Sequence, residues 1–163
     1  MTPALVVQPE PPDAADAKAL IEALDAHLNH LYAPENRHGL SEASLRDESV
    51  TFLVARWDGV AVGCGAVKFV NEDYAEVKRM YVAPQWRGRG VAQALLKQLE
   101  WLSHQSGFRG LRLEMGIYQP EAVRLYERAG FSRCEPFGEY ADDGVSLCYE
   151  KALAPTDGGL VVL

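Results

Sequence analysis

Residues 76–92 read Glu-Val-Lys-Arg-Met-Tyr-Val-Ala-Pro-Gln-Trp-Arg-Gly-Arg-Gly-Val-Ala, and this stretch decides the fold. Val77, Met80, Tyr81 and Val82 have the β-branched and apolar character of a buried strand, which Pro84 ends. Gly88 and Gly90 permit a tight turn and a close approach of backbone to a ligand. Apolar residues then recur at helical spacing, at Val91, Leu95, Leu96, Leu99 and Leu102, until Gly107 stops the helix. A helix that starts in such a loop aims its unsatisfied N–H groups, and the positive end of its dipole, at whatever sits there. Strand, loop and helix together suit a phosphate chain.

Charge points the same way. Lys78, Arg79, Arg87, Arg89 and Lys97 fall within residues 77–99, which contain no Asp or Glu. The 163-residue chain carries −7 in all, so this segment's +5 stands against −12 elsewhere. A cationic island in an acidic protein indicates a small polyanionic ligand, whereas a nucleic-acid binder is usually basic overall. Two rival phosphate templates fail, because neither Gly-x-x-x-x-Gly-Lys-Ser/Thr nor Gly-x-Gly-x-x-Gly occurs in the loop.

Outward from this segment, residues 4–7 predict a first strand. Ala17, Leu20, Ile21, Leu24, Leu28 and Leu31 make one apolar helical stripe. Residues 33–49 read as a loop with a short helix at 41–46. Strands at 51–57 and 60–70 flank Asp58-Gly59, the expected pair for a tight hairpin. A strand at 75–82 follows, then the helix from Val91 and a strand at 110–115. A short helix at 120–129 opens on Pro120, and strands at 131–133 and 145–151 complete a mixed sheet with flanking helices.

Composition is that of a soluble enzyme: 48% of residues are apolar and 24% charged. No apolar run approaches the roughly 18 residues of a membrane span, and no secretion signal is visible, so the cytoplasm is the expected location. Cys64, Cys134 and Cys148 lack paired spacing, which excludes a disulfide framework and a zinc site and leaves reduced thiols. His27 and His30 share a helix face without further ligands nearby, and read as solvated rather than metal-binding.

Arg87-Gly88-Arg89-Gly90-Val91-Ala92 resembles, without a mismatch, motif A of the GNAT acetyltransferase superfamily, Gln/Arg-x-x-Gly-x-Gly/Ala. The preceding Glu-Val-Lys-Arg-Met-Tyr-Val is similar to that family's fourth strand. Ala122-Val-Arg-Leu-Tyr-Glu-Arg-Ala-Gly-Phe131 is similar to its motif B, a helix ending in Tyr-Glu-x-x-Gly-Phe. The three blocks stand in the family's order and cover most of residues 50–150. The resemblance implies an α/β (α+β) GNAT fold, with a mixed sheet splayed between strands four and five and about four helices around it. It implies acetyl-coenzyme A (acetyl-CoA) as cosubstrate in the gap; chain length predicts one domain, over residues 1–153, and Pro and Gly at 154–163 read as a tail.

Within that frame, residues 87–92 hold the coenzyme pyrophosphate through backbone N–H groups, with charge from Arg87 and Arg89. The backbone of Met80, Tyr81 and Val82 pairs with the peptide-like arm as an added strand would. Gln119 falls where many relatives have an asparagine touching that arm. Tyr126 aligns with the family's general acid toward the thiolate, although Ala122, Tyr126 and Ala129 also share one face that core packing alone would explain. Glu76 occupies the position of the general base in histone-acetylating members; a solvated strand-end carboxylate, with a water chain serving the base, is the other reading. By strict alternation Glu76 shares a strand face with Met80, and Arg79 lies on the opposite one.

Residues 136–143, with Glu139, Tyr140, Asp142 and Asp143, stand where relatives build a wall of the acceptor pocket. Those carboxylates either attract a cationic amine or form a solvated loop. Arg79 and Tyr140 are the candidate acceptor contacts; His38, in the early loop, is a weaker candidate for the pocket lining and is not counted among them. The expected reaction is acetyl transfer to a primary amine of a small or amino-acid-like acceptor by direct attack. Protein-lysine or N-terminal acetylation, and a non-catalytic acyl-coenzyme A module, are the alternatives. No nucleic acid, membrane or metal is expected as partner, and the family's tendency to pair admits a homodimer.

Overall fold

The computed structural model describes residues 4–36, 40–70 and 73–154. Strands β1 (Leu5–Pro9), β2 (Val50–Trp57), β3 (Val60–Phe69), β4 (Tyr74–Val82), β5 (Gly110–Gly116), β6 (Ser132–Arg133) and β7 (Ser146–Ala152) form one sheet in the order β1-β2-β3-β4-β5-β7-β6. Helices α1 (Ala15–Leu31), α2 (Glu42–Leu45), α3 (Val91–Gln105) and α4 (Pro120–Arg128) flank it. The tail assigned to residues 154–163 and the loop residue His38 lie, apart from Ala154, outside the described residues.

Local chemistry explains the elements. Asp58 and Gly59 both take positive φ, 49° and 86°, which is the mirror-image turn that matches the twist of β2 and β3. Pro120 sits in the first turn of α4, where its missing N–H costs nothing. Val91, Leu95, Leu96 and Leu99 of α3 meet Leu53, Val62, Val67, Val77 and Leu111 in the larger core. On the other face of the sheet Ala17, Leu20 and Ile21 of α1 bury against Phe52, Val54, Cys64 and Ala66.

Two departures from regular pairing make the site. All neighbouring strands run antiparallel except β4 and β5, which are parallel. Their register holds only from Tyr74↔Gly110 to Glu76↔Arg112. Beyond Glu76 the strands splay, and backbone that a regular sheet would pair faces a gap.

The second departure is a β-bulge. Cys64 opposes Tyr81 while Ala66 opposes Lys78, so β4 spends one residue more than β3 over this interval, and Arg79 takes a positive φ of 56°. The extra residue resets the alternation. Val77 and Val82 belong to the α3-side core and Met80 packs on it, whereas Tyr81 packs on the α1-side core and Arg79 reaches Asp25 of α1. The expectation from strict alternation is therefore reversed: Arg79 stands on the side of Glu76 and Lys78, and Met80 on the other. Gly65 makes room for the change, since a Cβ there would come within 2.5 Å of the Met80 sulfur.

Candidate active site

Where β4 and β5 part, a cavity of about 130 Å³ opens between their ends, the C-terminal half of α1 and the start of α4. Its floor includes Lys78, Arg79 and Met80 from β4 and Glu114 to Gly116 from β5. Tyr126 and Gln119 enter from α4, Tyr32 from the end of α1, and Tyr140 from the loop before β7.

The glycine loop lies at the same end of β4. Gly88 and Gly90 have φ of 77° and 85°, and a Cβ on either would meet no atom within 4 Å, so open space faces the backbone. Gly90 caps α3 in the left-handed conformation without a side-chain cap, and no acidic residue occupies the first turn. The backbone N–H groups of residues 88–93 donate to no acceptor among the described residues. Six unclaimed donors beside a helix N-terminus fit a diphosphate. Arg87 is partly committed: its Nε donates to the Val82 carbonyl at 2.9 Å and its guanidinium lies 5.6 Å from the Tyr81 ring centre. Arg89 stacks on Trp86 at 4.9 Å. The Val82 carbonyl thus already accepts one bond, which leaves it one further lone pair.

Tyr126 is buried, and burial alone lifts its phenol well above the ordinary tyrosine value. The ring stands edge-on to Phe131, 5.6 Å between centres, which fixes its orientation. Its hydroxyl makes no hydrogen bond among the described residues, and Tyr126 lines the cavity. A phenol that burial keeps protonated, on the cavity lining, has the chemistry of a general acid.

Gln119 caps α4, and its Oε1 accepts from the Tyr32 hydroxyl at 3.1 Å and the Gly116 N–H at 3.2 Å. The Tyr118 N–H donates to the same Tyr32 hydroxyl at 3.1 Å. Tyr32 therefore ties the end of α1 to the turn that launches α4. No motif marks Tyr32 in the sequence; its one trace is Gly116, where any Cβ would collide with the Tyr32 ring.

Glu76 and Tyr140, 64 residues apart, meet directly. The Tyr140 hydroxyl donates to Glu76 Oε2, while Lys78 Nζ donates to that hydroxyl at 2.5 Å and lies 3.3 Å from the same carboxylate oxygen. Burial first, and the Glu76 charge second, push the Tyr140 phenol far up. Glu76 is 7% exposed and stands behind Tyr140 rather than on the cavity wall. The solvated strand-end reading of Glu76 does not survive this burial. Glu114, a half-buried carboxylate on the wall, is absent from the sequence-based candidates because a single acid between Leu113 and Met115 resembles any strand residue.

Arg79 is 7% exposed and also lines the cavity. Its Nη2 donates to Asp25 at 2.7 Å, and its Nε has no hydrogen-bond partner among the described residues. A buried, unmade charged-donor bond is costly, on the order of 1–3 kcal/mol or more. Of the acidic loop, Asp143 turns inward on its own backbone, accepting from the Ser146 and Val145 N–H groups at 2.7 and 2.9 Å. It serves the loop, not the cavity.

Cys64, Cys134 and Cys148 are free, and burial raises the thiols of Cys64 to about 12 and Cys134 to about 11. Neither forms a thiolate near neutrality, so neither suits an acyl relay. His27 and His30 are exposed on α1, and no group of three metal-ligating side chains occurs among the described residues. No helix among them is long and apolar enough to cross a membrane.

Residues 17–131 match the Acetyltransferase (GNAT) family. An IAA acetyltransferase of Azospirillum brasilense is 43% identical over 135 residues, covering 82% of this chain and 88% of that one. A crystal structure from Klebsiella pneumoniae, described as an acyl-CoA N-acyltransferase, superposes with a TM-score of 0.78 at 36% identity over 92% of this chain and 98% of that one. The PaiA N-acetyltransferase of Thermoplasma acidophilum, solved in complex with coenzyme A, shares the fold at a TM-score of 0.71 and 21% identity, over 91% and 98% of the two chains. The parted strands, the donor-rich helix start and the buried tyrosine between them thus have a common explanation, and the chain belongs to the GNAT family of acyl-CoA-dependent N-acetyltransferases.

Proposed function

We propose that this enzyme transfers the acetyl group of acetyl-CoA to a primary amine of a small molecule, by direct attack while both substrates are bound. The observation that carries the reading is the placement of a buried, protonated Tyr126 and a Tyr140–Glu76 pair around one cavity at the β4–β5 splay. Acetyl-CoA supplies an activated thioester. The chain's residues supply position and proton movement.

The N–H groups of residues 88–93 bind the diphosphate, and the freed edge of β4 at Met80, Tyr81 and Val82 aligns the arm. The Gln119 amide, fixed by Tyr32 and Gly116, borders the arm's far end. An amine arrives as ammonium near pKa 10 and must lose a proton before it attacks. Glu76 is the acceptor of that proton, reached through the Tyr140 hydroxyl that already donates to it. Lys78 compensates the carboxylate charge in the resting site. Tyr126 gives its proton to the departing sulfur.

The cavity, with Tyr32 on its lining, holds only about 130 Å³, which suits a small acceptor better than a folded protein surface. Three free thiols suit a reducing compartment such as the cytoplasm. The test is release of free coenzyme thiol from acetyl-CoA with panels of small amines and of peptides. Small amines should turn over and peptides should not. Turnover of peptides alone would reassign the enzyme to protein acetylation.

A further inference from the structure

We propose that the acceptor carries a carboxylate as well as its amine, making it an amino acid, and that Arg79 binds that carboxylate. The inference rests on the acetyl-transfer reading and names its substrate class.

It starts from the bulge. In a regular strand consecutive side chains point to opposite faces, so a Lys-Arg pair would present only one cation to a cavity. The inserted residue at Arg79 brings Lys78 and Arg79 to the same cavity wall. The two cations are not equivalent. Lys78 is engaged by Tyr140 and Glu76. Arg79 holds a side chain only 4% exposed, yet its ion-pair partner among the described residues, Asp25, is 50% exposed and uses Nη2 alone. The Nε–H has no partner among the described residues.

Buried guanidinium groups ordinarily satisfy their donors, and an Arg edge with adjacent N–H groups matches a carboxylate geometrically. A ligand carboxylate in the cavity would meet Nη1, which donates to no acceptor among the described residues. The rest of the lining agrees, because Glu114 of β5 brings a carboxylate to the same cavity as the two cations of β4. A cavity lined by both signs of charge fits a zwitterion better than a simple cationic amine, which would meet Arg79 and Lys78 unfavourably, or a dianion, which would meet Glu114.

The experiment compares matched triplets with the purified full chain and acetyl-CoA: an amino acid, its carboxamide and its decarboxylated amine, over a range of side chains. Coenzyme binding is measured in parallel by calorimetry. At least one amino acid should be acetylated with a kcat/KM roughly 10- to 100-fold above its amide and amine, the range expected for one hydrogen-bonded charge pair. Arg79→Gln should bring that ratio close to one, chiefly through KM, and Arg79→Lys should keep part of it. The wild-type ratio needs no variant, so a misfolded Arg79→Gln cannot hide the answer. Equal use of amines and amino acids, or a folded Arg79→Gln that keeps the wild-type ratio, overturns the carboxylate site while leaving acetyl transfer intact. Coenzyme binding without thiol release from any member of the triplets overturns both.

Discussion

Tyr126 asks most of its surroundings, because the proposed acid role requires it to remain protonated. Burial does this without any partner: desolvation penalises the phenolate and holds the group neutral past its usual value of 10. An alkaline loss of activity below about pH 10 therefore has to come from another group. Replacing Tyr126 by Phe removes the proton and keeps the ring against Phe131. We expect kcat to fall by about 100-fold with coenzyme affinity and melting temperature little changed, the size of a general-acid contribution. Steady-state kinetics beside calorimetry check it; an unchanged kcat takes the acid role from Tyr126. Glu76 and Tyr140 make a second residue-scale prediction, because they act as one unit in the proposed proton path. Glu76→Gln and Tyr140→Phe should each slow turnover, and the double variant should be little worse than either alone. If Tyr140→Phe retains full rate while Glu76→Gln does not, the proton reaches Glu76 by another route.

At the level of elements, most of the architecture is legible because it rests on residue types that one backbone conformation selects. Asp58-Gly59 specifies its turn, Pro120 starts α4, and Gly107, at φ 86°, ends α3. The splay of β4 from β5 is legible only through family resemblance, since Val77–Val82 reads as one buried strand whether or not it has a neighbour. The bulge is not legible at all. Positive φ usually draws Gly or Asn, and Arg79 carries no such mark; only Gly65 on the adjacent strand hints at crowding. That one hidden residue is why the alternation assigns Arg79 and Met80 to the wrong faces, and why the candidate acceptor contacts are visible singly but not as a cluster. The glycine loop offers an element-scale test. Gly90→Ala forces φ of 85° on a residue with a Cβ, costing about 1 kcal/mol, and puts a methyl into the space in front of the α3 N–H groups. The melting temperature should drop by about 2–8 °C, and affinity for acetyl-CoA should fall. Turnover of the acetyl thioester of N-acetylcysteamine, which has no diphosphate, should be much less affected. Equal losses on both donors would show that the loop does not read the phosphates.

The whole molecule stores its pH response in two sets of groups, carboxyls bonded at the surface and acids that burial keeps neutral, the cavity tyrosines among them. Asp47 is held below the usual carboxylate range by the Ser49 N–H and hydroxyl, Asp143 by the Ser146 and Val145 N–H groups, and Asp16 by its bond to Arg56. A carboxyl depressed in the fold contributes stability that is complete above its unfolded pKa, about 3.9, and is lost as pH falls through the folded value. On the alkaline side burial raises Cys64 to about 12 and lifts Tyr126, Tyr140 and Tyr32 above the usual phenol value. These acids are neutral in the fold and ionise on unfolding, so their contribution is complete below the unfolded values and fades as pH climbs toward the folded ones. The melting temperature should therefore be nearly flat from about pH 5 to 8, fall below about pH 4, and fall again above about pH 9, where exposed thiols and then phenols ionise. Asp143→Asn should soften the acid limb, because an amide keeps the loop's acceptor but no longer titrates. Cys64→Ala should soften the first part of the alkaline limb and leave the acid limb alone. Scanning calorimetry across this range decides the matter: a melting temperature that keeps rising to pH 10, or an alkaline limb identical in Cys64→Ala, would mean that the buried acids do not set the upper edge of the stability window.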